Sequence, residues 1–124
     1  MAGVRDERGQ AATELALVLP LVALLVLLLV QAGLVVRDQV LVTHAAREAA
    51  RAAAVEADPV AAQHAAERSA RLAPAHLSVE VGPRGEPGEL VTVEVRYRSP
   101  TNLPLIGPLI GDPLLTAEAT MRIE

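Results

Sequence analysis

The chain has no cysteine, no lysine, no tryptophan and no phenylalanine, and Tyr97 is its single aromatic residue. Each absence removes a class of function. Without cysteine there are no disulfides, no thiol chemistry and no thiolate zinc site. Without lysine there is no Walker-type phosphate loop, which ends in Gly-Lys-Ser/Thr. Small-molecule pockets usually have aromatic walls, and almost no aromatic is available to build one. The formal net charge is −4 and no basic stripe runs along the chain, so nucleic-acid binding has no footprint.

What the chain does have is aliphatic residues. Hydrophobic residues make up 52% of its 124 positions, nearly all of them Leu, Val and Ala. They suit a lipid-embedded helix and close helix–helix contact. The run Leu15–Val36 carries no charge. Its roughly 22 residues reach about 33 Å as a helix, against a hydrocarbon core of about 30 Å. Gln31 is its one strongly polar residue, and Pro20 sits near its start, a position that membrane helices tolerate. A cleaved secretory signal is a rival reading, with Val30-Gln31-Ala32 as a small-x-small site, and it predicts a soluble product. The apolar run, however, continues beyond that site to Val36. Arg5 and Arg8 precede the run and Arg37, Arg47 and Arg51 follow it, so the positive-inside rule gives no clear orientation.

The entry to the run reads Arg8-Gly9-Gln10-Ala11-Ala12-Thr13-Glu14-Leu15. A cut after Gly9 makes Gln10 the first residue and Glu14 the fifth. A carboxylate at the membrane centre costs about 2.5–3.5 kcal/mol on insertion scales, and less near the surface. The freed ammonium at Gln10 lies one helical turn from Glu14 and is placed to neutralise it, or the Glu14 of a neighbouring helix. Such a pair would set the depth at which adjacent subunits register.

Glycine followed five residues on by glutamate, leading into an apolar helix, resembles the leader of type IV pilins and pseudopilins. The longer string Arg8 to Pro20 resembles the TadE-like proteins of tight-adherence (Flp-type) pilus systems. The resemblance continues at His44-Ala45-Ala46-Arg47-Glu48-Ala49-Ala50-Arg51-Ala52-Ala53-Ala54 and at Ala117-Glu118-Ala119-Thr120-Met121-Arg122-Ile123-Glu124. Leu15 stands where many Flp-type pilins carry an aromatic residue. The resemblance implies a minor pilin or pseudopilin in the cytoplasmic membrane, with its N-terminus inside and its C-terminal domain outside. It implies processing between Gly9 and Gln10, and partners that are membrane lipid, a prepilin peptidase, the assembly platform proteins and other pilins. It also implies a pilin-like fold. The alternative is an uncleaved membrane-anchored binding module.

Beyond Val36 the helical pattern continues to about Ala57. Val42, Ala45, Ala46, Ala49 and Ala53 fall on one side, and Arg37, His44, Arg47, Glu48 and Arg51 on the other. Membrane helix and stalk then form one rod of roughly 40 residues. Asp58-Pro59 is an N-cap followed by a favoured first helical residue, and it starts a second helix that runs to about Leu72. From there the period changes to two. Leu77, Val79 and Val81, then Val91, Val93, Val95 and Tyr97, then Leu115, Ala117, Ala119, Met121 and Ile123 alternate with polar residues. That pattern marks half-buried antiparallel strands, the first two joined by a Gly82–Gly88 hairpin loop. The expected fold is α+β: a transmembrane helix extended into a stalk and packed on a small antiparallel sheet. The expected divisions are a 1–9 head, a 10–36 membrane helix and a 37–124 domain.

Pro-Leu-Ile-Gly occurs twice, at Pro104–Gly107 and Pro108–Gly111, within a segment from Pro100 to Pro113 that is expected to be neither helix nor strand. It serves either as a cover over the sheet edge or as an exposed apolar patch for docking to a partner or the membrane surface, with Leu105 and Leu109 at its centre. Catalytic groupings are scarce. His44 and Glu48 stand at i and i+4 without a third ligand nearby in sequence, and His64 and His76 are isolated, so no metal, cofactor or enzyme activity is expected.

Overall fold

A computed structural model describes residues 2–101 and 107–124, with side chains from residue 7 onward. The first element, α1, is a single helix from Ala2 to Val55 that contains Pro20. At 54 residues it is about 80 Å long. The rod is therefore longer than the apolar and stalk segments alone, because the head up to Gly9 joins the same helix.

A short helix, α2, follows at Pro59–Ser69. Asp58 is its N-cap: the side chain accepts a hydrogen bond from the Val60 N–H at 3.0 Å, and Pro59 opens the first turn. The helix stops at Ser69, short of the expected Leu72. Ala70 leaves helical geometry, and the extended chain then buries both Ala70 and Leu72 in the core. A 3₁₀ turn at Pro74–His76 leads into the sheet.

Strands β1 (Leu77–Val81), β2 (Leu90–Arg98) and β3 (Leu114–Arg122) form an antiparallel meander in the order β1-β2-β3. The register pairs Val79 with Val95 and Val95 with Ala117. One face carries Leu77, Val91, Val93, Val95, Tyr97 and Leu115 into the core, together with Ile123 beyond the end of β3. The turn from β1 to β2 closes at Gly88, whose φ of 95° lies in the left-handed region that favours glycine.

The core is where the alanine stripe of α1 meets this face. Val42, Ala45, Ala46, Ala49 and Ala50 are fully buried, and Ala62 and Ala66 of α2 complete the packing. Alanine lets the helix axes approach closely. The arrangement is the α+β architecture expected from the pattern, with α1 serving as both membrane segment and core helix. The Pro100–Pro113 segment departs from expectation. Gly107–Ile110 forms a one-turn helix, α3, closed at Gly111 with φ 70°. Pro104, Leu105 and Ile106 of the first repeat lie outside the described residues.

Candidate functional site

Among the described residues α1 is the one helix long and apolar enough to cross a membrane. Only 6% of its most apolar 18-residue stretch is buried within the protein. A core helix of a soluble protein buries such a stretch, and this one leaves it bare. Leu15, Leu17, Leu19, Leu21, Leu25 and Leu29 are all exposed. A helix apolar on all sides and uncovered by its own domain belongs in lipid or against other helices.

Gly9, Gln10 and Glu14 lie together at the start of this surface. All three are exposed and helical. The Gln10 amide donates to Glu14 Oε1 at 3.4 Å, and the Thr13 hydroxyl donates to the Gly9 carbonyl at 2.8 Å. A Cβ built on Gly9 would meet nothing within 4 Å. The fold therefore does not need glycine there, although glycine inside a helix costs about 1 kcal/mol relative to alanine. A requirement for glycine at this position must come from outside the folded chain.

The opposite end of the apolar run is fastened to the domain by residues that periodicity does not single out. Gln31 is only 4% exposed, and its amide donates to the Thr101 hydroxyl at 3.2 Å. Two turns on, Asp38 Oδ2 accepts from the buried Ser99 hydroxyl at 2.6 Å, and the Gln39 amide donates to the Thr116 carbonyl at 3.1 Å. The one available signal was the polar Gln31 inside an otherwise apolar run. A cut after Ala32 would sever Gln31 from its partner, which argues against a domain released at that site.

Arg84, from the hairpin loop, closes the far end of α1. Its guanidinium donates to the carbonyls of Ala53, Ala54 and Glu56. These carbonyls have no partner within the helix, and the negative end of the helix dipole favours a cation there.

The outer face of the sheet is polar. Glu80, Glu94 and Glu118 stand directly opposite one another across the three strands. Arg96 answers part of this charge, hydrogen-bonded to Glu94 and 3.8 Å from Glu80. The bond to Glu94 and its charge raise the Arg96 guanidinium above its ordinary value. An open concavity at the corner of α1 and α2 includes Val55, Asp58, His64 and Arg68. Among the described residues no three His, Cys, Asp or Glu side chains gather as a metal site, and nothing joins the pair His44 and Glu48.

Fold and exposure together define a single-pass membrane protein with an α+β domain built around the C-terminal half of its helix. Residues 9–51 match the model of the TadE-like protein family, the family whose motifs the sequence resembles. The match begins at Gly9, runs along α1 and stops one turn short of its end, so the relationship rests on the helix and not on the sheet. No curated protein and no solved structure matches the chain. The family match implies a protein associated with a tight-adherence pilus.

Proposed function

We propose that this chain is a minor pilin or pseudopilin that acts by assembly and not by catalysis. It is inserted in the cytoplasmic membrane with its head inside and its domain outside. A prepilin peptidase cuts it between Gly9 and Gln10. The exposed apolar helix then packs with other pilins and with the assembly platform, and Glu14 pairs with a freed Gln10 ammonium to set the depth of neighbouring helices. The observation that carries this reading is the coincidence at Gly9. The family match starts there, and the fold supplies no reason of its own for a glycine.

Cleavage asks for one further event. Gly9 lies inside α1, so the scissile bond must leave the helix before a protease can engage it. Glycine lowers that cost relative to any other residue except proline. The test is the N-terminus and intact mass of the protein recovered from its native membranes, with Gly9→Leu beside it. A mature chain that begins at Gln10 and disappears in the variant is expected. A chain that keeps Met1 or Ala2 would support the alternative, an uncleaved anchor holding a binding domain.

A further inference from the structure

The helix α3 and its flanks have no part in assembly as described above, yet they hold Leu109, the most exposed large apolar side chain among the described residues, with two more exposed aliphatic residues beside it. Leu109 is 79% exposed, Ile110 48% and Leu114 57%. Their height along α1 is set by a chain of hydrogen bonds. Gln31 donates to the Thr101 hydroxyl, which itself donates to the Gly111 carbonyl at 2.7 Å. The Thr101 N–H donates to Asp112 Oδ1 at 2.9 Å. The segment that carries α3 is thus pinned beside Gln31, six residues before Arg37, the first charge after the apolar run. Six residues of helix are about 9 Å. At the same level α1 presents Val30 and Leu34, both exposed.

We propose that α3 is a second membrane contact, lying in the interface of the leaflet on the domain side of α1 with Leu109 and Ile110 among the lipids. The inference rests on the reading of α1 as a membrane helix. Three features favour lipid as the occupant. The patch stands at the height of the exposed Val30 and Leu34 of α1. Asp112 is the only charged residue between Ser99 and Leu114. That carboxylate is exposed and belongs in the headgroup layer, which sets the depth of the segment. Interfacial elements sit about 5–10 Å into the boundary between headgroups and chains, which matches the offset below Arg37. A second contact stops the domain from tilting freely on a single helix and presents one fixed side of it to its surroundings.

The absence of tryptophan makes the test direct. The full chain carrying Leu109→Trp is reconstituted at low protein density in phosphatidylcholine–phosphatidylglycerol vesicles. The lipid chains are brominated either near the headgroup or near the chain ends. Leu25→Trp reports on α1, and Val60→Trp reports on the domain away from the membrane. Circular dichroism checks that each variant is folded. The expected result is a blue-shifted Leu109→Trp signal quenched by the shallow bromines, a Leu25→Trp signal quenched by the deep ones and an unquenched Val60→Trp signal. A water-exposed, unquenched reporter at 109 beside a quenched one at 25 overturns the proposal and leaves the membrane helix standing. Loss of quenching at both positions removes both. A reporter at 109 shielded from bromine and from aqueous iodide alike places a protein on the patch, a second copy included, and also overturns the proposal.

Discussion

Arg84 does for the end of α1 what the helix's own sequence does not, since its last turn holds no basic residue. The guanidinium reaches the part-buried Ala53 carbonyl and the exposed Glu56 carbonyl, and it shares the Ala54 carbonyl with the Glu124 N–H, which donates to it at 3.2 Å. Arg84→Met keeps much of the side-chain bulk and removes the donors. It is expected to cost about 1–2 kcal/mol in chemical denaturation of the detergent-solubilised chain. On the outer face of the sheet the sign reverses. Like charges directly opposite in a sheet are destabilising. Glu118 faces Glu94 and makes no ion pair among the described residues, whereas Arg96 is already engaged by Glu94 and Glu80. Glu118→Thr is therefore expected to raise stability by about 0.5 kcal/mol, with an unfolding midpoint shifted upward at unchanged slope. Because the Arg96 guanidinium is raised above its ordinary value by its bond to the Glu94 carboxylate, deprotonation of Arg96 removes this contribution only on the far alkaline side. Arg96 therefore gives the domain no pH switch near neutrality.

Among the elements, α2 is the most dependent on a single residue. It has 11 residues, too few to be stable alone, and it buries only Ala62 and Ala66. Asp58→Ala removes the N-cap and is expected to cost about 1 kcal/mol, seen first as faster hydrogen exchange at the α2 amides. The alanine stripe of α1 limits change from the other direction. Ala49 is fully buried between helix and sheet, and Ala49→Leu is expected to destabilise by about 1–3 kcal/mol in the same denaturation experiment. These elements were largely legible in the sequence. Alternation from Val91 to Tyr97 and from Leu115 to Ile123 named the buried face of the sheet, and Asp58-Pro59 named the start of α2. What pattern does not encode is contact between distant segments. Nothing local pairs Gln31 with Thr101 or Arg84 with Ala53. The early stop of α2 has the same cause, because the gain from burying Ala70 and Leu72 is a tertiary one. The turn of α3 was missed because Pro and Gly dominate its composition while its shape follows from the bonds Thr101 makes to Gly111 and Asp112. For the candidate site, Gly9, Gln10 and Glu14 were readable as a motif. The structure adds that they lie inside a continuous helix and that the fold does not use the glycine.

At the scale of the molecule, helix and domain are one body, because α1 runs from the membrane segment directly into the core. The angle between Glu14 and the sheet is then fixed by the residue count along α1. One inserted residue advances a helix by about 1.5 Å and turns it by about 100°. An alanine inserted between Val35 and Val36 falls between the Gln31–Thr101 bond on one side and the Asp38–Ser99 and Gln39–Thr116 bonds on the other. These contacts cannot all survive it, and a lower unfolding temperature of the domain is expected. The same insertion between Leu17 and Val18 lies among exposed side chains, so the domain should unfold at its original temperature. It nevertheless rotates Glu14 relative to the domain. If neighbouring subunits register through Glu14 while their domains also meet, this second insertion should abolish cross-linked complexes in native membranes without loss of folded protein. A second insertion that leaves the complexes intact would separate the two ends of the rod functionally. It would remove angular register at Glu14 from the account of assembly, with membrane depth as the only constraint that residue imposes.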